Sequence, residues 1–247
     1  MRIDIVKNKI ELGRASANFV SEAVAKKPRM VLGLPTGNTP LLMYKDLVHL
    51  HKNGLFDAPQ VTTFNLDEYY GLSLRDRQSY AYFMKNMFFK YVEVLESHIP
   101  NGLIPKEKVE EYCGSYERLI AASGGLDITV LGIGGDGHIA FNEPGSSFSS
   151  RTRLVELSAQ TIKDNSEPFI KAKKKMPTLA ITMGIATIME SRTIMLLASR
   201  KSKADILKRA LEGPVTEDVP ASILQTHKNV IIIADEEAAS KLAKKGR

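Results

Sequence analysis

Cysteine occurs once, at Cys113, and tryptophan does not occur at all. A single thiol excludes an internal disulfide framework and any zinc site built on several thiolates. Cys113 reads as a passive, partly buried residue. Long apolar runs are also missing: the longest, such as Thr193 to Ala198, have the length of a strand, far below the roughly 20 residues of a spanning helix. The chain is therefore not expected to cross a membrane. The opening MRIDIVKNKIELGR sets charges among its apolar residues and lacks the unbroken hydrophobic segment of a secretory signal, so a cytoplasmic location is expected by default. The 17 glycines follow no triplet period, which excludes collagen. No repeat, low-complexity linker or shift in composition divides the chain.

What is present is ordinary for a folded protein: 247 residues, 43% apolar and 25% charged. An α/β fold often reaches about 250 residues undivided, so one domain over 1–247 is expected. The 34 Lys and Arg against 28 Asp and Glu leave a net charge of +6. Clustered bases favour nucleic acid through counterion release, but the dense runs are only Lys171 to Lys175 and Lys241 to Arg247. No helix-turn-helix or zinc pattern accompanies them, and no nucleic-acid partner is expected. The second run reads as a solvated helix end, whereas the first suits a small phosphorylated metabolite.

Short apolar runs at 30–34, 61–66, 127–133, 193–198 and 230–234 alternate with helical periodicity over 12–26, 40–53, 79–91, 107–123, 202–212 and 236–245. That rhythm predicts an α/β fold with a mainly parallel sheet covered by helices on both faces. Ligands of such sheets bind beyond the carboxyl ends of the strands, where loops converge. Three strand ends carry motifs. In LGLPTGNTPLLMY the exposed N–H groups of Gly37, Asn38 and Thr39, after Thr36 and ahead of Pro40, can cradle an anion at a helix start. The alternative is a plain strand-to-helix turn capped by Thr39. Neither a P-loop nor a dinucleotide fingerprint is present. In FNLDEYYGL, Asp67 and Glu68 point in different directions, so one can face a cleft as a base while the other has a structural partner.

The third motif, LGIGGDGHIAFNEPGSSFSSRTR at 131–153, packs Asp136, His138 and Glu143 into a glycine-rich turn. An imidazole flanked by carboxylates is a proton relay: one ring nitrogen is held in a fixed tautomer and the other exchanges a proton with a substrate hydroxyl. Metal ligation is the competing use, yet there is no HExxH pair, no second nearby histidine and no EF-hand loop, so no metal is expected. The serines at 146, 147, 149 and 150 lie outside any G-x-S-x-G elbow. His49, His51, His98 and His227 read as structural.

LGLPTGNTP, VTTFNLDEYYGL, SYAYFM at 79–84 and GIGGDGHIAFNEPGSSFSSRTR together resemble the glucosamine-6-phosphate deaminase (isomerase) family over nearly the whole chain. The resemblance implies a Rossmann-like sandwich that converts an amino-sugar phosphate to fructose 6-phosphate and ammonia with no metal or organic cofactor. It assigns Asp67 as the base between carbons 2 and 1, His138 as the ring-opening group with Asp136 and Glu143 orienting it, and Thr36 to Thr39 with Lys201 as the phosphate site. It also implies a mobile lid around 158–177. Two positions depart from the family pattern. Glu167 stands where many members carry a lid arginine, so either Lys171, Lys173, Lys174 or Lys175 substitutes, or the lid closes differently, or the substrate is galactosamine 6-phosphate. Val155 stands where hexameric, allosterically activated members carry a lysine, which argues against such activation. The related 6-phosphogluconolactonases and a non-catalytic sugar-phosphate sensor are the alternative functions, and a homo-oligomer is compatible with the sequence.

Overall fold

Strands and helices alternate as β1 (Arg2–Val6), α1 (Lys9–Lys26), β2 (Val31–Leu34), α2 (Asn38–Lys52), β3 (Thr62–Asn65), β4 (Asp67–Tyr69), α3 (Tyr80–Met84), β5 (Glu96–His98), α4 (Val109–Ala122) and β6 (Ile128–Gly132). They continue as β7 (Arg153–Glu156), α5 (Ala159–Asn165), α6 (Glu167–Lys171), β8 (Leu179–Thr182), α7 (Ile185–Met189), β9 (Thr193–Ala198), α8 (Ala204–Glu212) and β10 (Val230–Asp235). The structure is a computed structural model in which residues 1–243 are described. Among them no helix is long and apolar enough to cross a membrane.

The main sheet has seven strands in the order β1-β10-β9-β6-β2-β3-β5, and every pair in it is parallel. Alternation along each strand feeds two cores. From β9, Ile194, Leu196 and Ala198 enter one core with Ile206 and Leu207 of α8 and Tyr116 of α4. Met195 and Leu197 enter the other, with Leu12 and Val20 of α1 and Met43 and Leu47 of α2. Helices thus cover both faces, as expected for strands buried on two sides. Asn8 caps α1 through its side-chain oxygen, which accepts from the N–H groups of Ile10 and Glu11.

A second sheet, β4-β8-β7, is antiparallel and has no counterpart in the expected elements. Its strands are three or four residues long, too short for their periodicity to register in the sequence. The expected helix over 79–91 splits into α3 and a π-helical turn, Lys85–Phe89. The expected helix over 236–245 is not formed. Residues 236–241 make turns, in which i→i+3 bonds such as Ser240 N–H to Glu237 and Leu242 N–H to Ala239 replace a continuing helical ladder. Residues 244–247 lie outside the described residues, and with them the basic end of the tail.

At the amino ends of the central strands, buried Asp127 gathers three elements. Its carboxylate accepts from Val31 N–H (2.9 Å), Lys27 (2.6 Å) and Arg192 (2.8 Å). Asp127→Ala leaves these donors without their acceptor, and urea denaturation is expected to show a loss of about 1–3 kcal/mol. The two cations remain half-exposed, which keeps the loss below that of a fully buried pair.

Candidate active site

Sheet order reverses between β2 and β6, since β3 and β5 continue on one side of β2 while β6, β9 and β10 lie on the other. Loops leaving neighbouring carboxyl ends at such a switch point diverge to opposite faces and open a crevice. A cleft of about 270 Å3 lies there. It is lined by Thr36 to Pro40 after β2, Leu66 and Asp67 after β3, Gly132 to Gly135 and His138 after β6, and Ser199, Arg200 and Lys203 after β9. A larger groove, about 730 Å3, lies at the other end of β6. There Glu117 is already engaged by Thr152 and Thr187.

The loop after β2 turns at Gly37, whose φ of 114° suits glycine, and Gly37 is the N-cap of α2 with no side-chain capping bond. Thr39 is therefore not the cap. Tyr44, buried in α2, donates its hydroxyl to the Pro35 carbonyl at 2.6 Å and fixes the loop against the helix. The N–H groups of the first helical turn are thus left to face the cleft, at the positive end of a 15-residue helix.

Asp67 and Glu68 part as consecutive residues of β4. Glu68 turns inward, where its carboxylate accepts from the N–H groups of Tyr69 (2.8 Å), Tyr80 (3.0 Å) and Ala81 (2.9 Å). Burial still raises its pKa to about 7 against these bonds. Asp67 lines the cleft, and its carboxylate makes no hydrogen bond among the described residues. Burial first, and the adjacent Glu68 second, push its carboxyl up to about 8. Tyr116 steadies the strand end beneath it by donating to the Asn65 carbonyl at 2.8 Å.

His138 lies over Gly134 so closely that a Cβ there would sit 2.2 Å from the imidazole. The glycine is therefore a requirement of the ring's position. Nδ1 stands 2.7 Å from Asp136 Oδ1, and the His138 N–H reaches the same oxygen at 3.1 Å. Partial burial opposes the Asp136 charge, but the hydrogen bond and charge of His138 outweigh it and bring the carboxyl down to about 2. The contact leaves Nε2 as the ring nitrogen free to meet a ligand. Phe141 N–H donates to Thr182 Oγ1 (3.1 Å), and Thr182 is the β8 partner of Asp67. The small sheet thus joins the histidine segment to the strand of the acid.

Three expectations meet a different placement. Glu143 is not brought to His138: its carboxylate accepts from the N–H and hydroxyl of Ser158 (3.0 Å each), the N-cap of α5, and it lies outside the cleft lining. Lys201 is exposed at the start of a 3₁₀ turn, with its N–H on Glu237, whereas Lys203 lines the cleft. A tight turn directly after β9 swings the second lysine inward, a spacing the segment ASRKSK leaves undetermined. None of the lysines at 171 to 175 lines the cleft. Lys171 pairs with Glu167 at 2.5 Å and Lys174 pairs with Asp76. The 158–177 segment instead presents Asp164 and Asn165 to it.

Sequence reasoning also missed Tyr80, Arg200 and Phe141 as cleft residues. Tyr80 had a signal, since it opens the SYAYFM segment, and Arg200 had one in following a buried strand directly. Arg200 has φ 84° and ψ 149°, a region almost restricted to glycine whose occupation costs on the order of 1–3 kcal/mol. The other four histidines lie outside the cleft lining. Among the described residues no group of three or more His, Cys, Asp or Glu side chains is placed to hold a metal ion.

The raised Asp67 pKa has a consequence for stability. Between the ordinary value of 3.8 and about 8, the folded protein keeps a proton that the unfolded chain has released, so stability falls as pH rises across that window. Asp67→Asn removes the penalty. Melting curves should coincide with the parent below about pH 4 and lie a few degrees higher near pH 8; parallel curves at all pH values would contradict the assignment.

The family model described as glucosamine-6-phosphate isomerases/6-phosphogluconolactonase matches residues 9–233. A glucosamine-6-phosphate deaminase of Clostridium botulinum (strain Kyoto / Type A2) is 47% identical over 244 residues, covering 98% of this chain and 99% of that protein. A solved structure of a monomeric glucosamine-6-phosphate deaminase superposes with a TM-score of 0.92 at 41% identity, covering 98% of this chain and 100% of the other. A 6-phosphogluconolactonase from Trypanosoma brucei shares the fold, with a TM-score of 0.76 at 20% identity and 98% of each chain covered. With its parallel sheet, its cleft at the switch point and these full-length matches, the chain belongs to the glucosamine-6-phosphate isomerase/6-phosphogluconolactonase family.

Proposed function

We propose that the chain is a glucosamine-6-phosphate deaminase, converting the amino-sugar phosphate to fructose 6-phosphate and ammonia. The observation that carries this reading is the placing of Asp67 and His138 on one cleft whose other end is cationic. The deaminase relatives support the same substrate class. The phosphate lies against the first turn of α2, at Thr36 to Thr39, with Lys203 as the point charge beside it. His138, held through Nδ1 by Asp136, takes the proton of the carbon 1 hydroxyl at Nε2 and returns it to the ring oxygen as the sugar opens. Asp67 removes the proton from carbon 2 while the carbonyl oxygen at carbon 1 takes a proton from the substrate's own ammonium, giving an enolamine, and Asp67 then delivers its proton to carbon 1. An imine is left at carbon 2, which water hydrolyses to the ketone and ammonia.

A carboxyl with a pKa near 8 is a stronger base than an ordinary carboxylate, and its unpaired position in the cleft leaves it free to move between two carbons. Glu143 joins the relay only when α5 shifts, because Ser158 occupies it here. Residues 158–177 act as the lid in that movement. A phosphorylated sugar as substrate implies action in the cytoplasm.

Ammonia release from glucosamine 6-phosphate and galactosamine 6-phosphate, beside hydrolysis of 6-phosphogluconolactone, tests the reading. Release from glucosamine 6-phosphate should dominate. Asp67→Asn should lower kcat by about 100- to 10,000-fold, whereas a lactonase would tolerate that change. For the parent, kcat/KM should rise with pH through an apparent pKa near 8, the value for Asp67 in the free enzyme. A folded protein releasing no ammonia from either amino sugar would overturn the proposal.

A further inference from the structure

Arg200 lines the same cleft as Lys203, and its backbone is held where non-glycine residues rarely stay. The holding group is Asp235, the last residue of β10, only 4% exposed. Both of its oxygens lie 3.1 Å from the Arg200 N–H, and it also accepts from the Ser199 hydroxyl at 2.6 Å and the Ala238 N–H at 2.8 Å. A buried carboxylate with donors from β9's exit and β10's exit clamps the turn between them. Freed from that clamp, Arg200 would relax to negative φ and its side chain would leave its present direction.

The guanidinium of Arg200 and the ammonium of Lys203 each make no hydrogen bond or ion pair with any described residue. They are near enough to repel. Burial lowers the Lys203 pKa, with Asp136 and Asp164 opposing the shift and Arg200 adding to it. Two unpaired cations facing one cleft beside a helix start form an arrangement that a bound dianion would relieve. The lid carries no cation to this place, since Lys171 and Lys174 are engaged by Glu167 and Asp76, and the lid residues on the cleft are Asp164 and Asn165.

We propose that Arg200 is the second cationic ligand of the substrate's phosphate, supplied by the exit of β9 in place of a lid arginine, and that Asp235 is the positioning residue that aims it. This rests on the phosphate end assigned above. A guanidinium offers two parallel donors to phosphate oxygens, which an ammonium cannot reproduce.

Calorimetric binding of inorganic phosphate and steady-state kinetics on glucosamine 6-phosphate test the assignment together. Arg200→Gly suits the local backbone, so it should fold with a melting temperature at or above the parent's. Its phosphate affinity should weaken and its KM rise by roughly 10- to 100-fold, with kcat nearly unchanged and Arg200→Lys in between. Asp235→Asn should raise KM when Arg200 is present and add nothing to KM in the Arg200→Gly background, while lowering the melting temperature equally in both. Unchanged phosphate affinity and KM in Arg200→Gly would overturn the proposal, even with ammonia release intact. An equal rise in KM from Asp235→Asn in both backgrounds would overturn the positioning role. If the parent released no ammonia while phosphate affinity still depended on Arg200, the assigned reaction would fall and the anion ligand would stand.

Discussion

Two carboxylates adjacent in sequence have to be buried side by side, and the three-residue strand β4 makes that arrangement tolerable. Consecutive residues of a strand face opposite ways, so Glu68 is delivered to the N–H groups at the start of α3 while Asp67 is delivered to the cleft. Were both on one side, their mutual repulsion would add to the cost of desolvating each. The antiparallel sheet therefore has more than a packing role. By pairing Asp67 with Thr182, and by engaging Phe141 through the same threonine, it fixes the acid relative to the imidazole loop.

The cleft as a whole separates opposite electrostatic demands. Asp67 sits where burial favours its protonated form, with no cation paired to it. Asp136 sits where His138 favours its ionised form. Lys203 and Arg200 follow β9, three places across the sheet from β3, whose exit leads to Asp67. Chemistry that moves a proton at one end of a ligand and holds charge at the other needs this division, because a cation beside Asp67 would lower its pKa and weaken it as a base.

Much of this was legible in the sequence. Five buried strands of the main sheet are visible as apolar runs, and the motifs at the carboxyl ends of β2, β3 and β6 point to three of the loops that line the cleft. Edge strands β1, which alternates charged and apolar residues, and β5, polar and three residues long, are not visible in this way, and neither is the antiparallel sheet. Strand ends and glycine density mark Asp67 and His138, which line the cleft, and Asp136, which holds the imidazole. The resemblance points to Lys201 whereas Lys203 lines the cleft: apolar patterning stops at Ala198, and the direction of the following turn depends on the carboxylate of Asp235, 35 positions beyond Arg200. Glu143 was assigned to the relay by proximity in sequence, whereas the Ser158 that takes it comes from a separate segment. Local pattern carries strands and loops; contacts between distant segments decide where side chains go.

The order β9-β6-β2-β3 also works as a ruler. Neighbouring strands lie about 4.8 Å apart, so the exit of β9 and the exit of β3 are separated by roughly 14 Å, three strand spacings. A molecule that engages both the basic turn and the acid must lie across the strands and bridge that span with its own length and the reach of the side chains. Molecular length is thereby gauged by backbone hydrogen bonding, which no side-chain replacement in the crevice can reset.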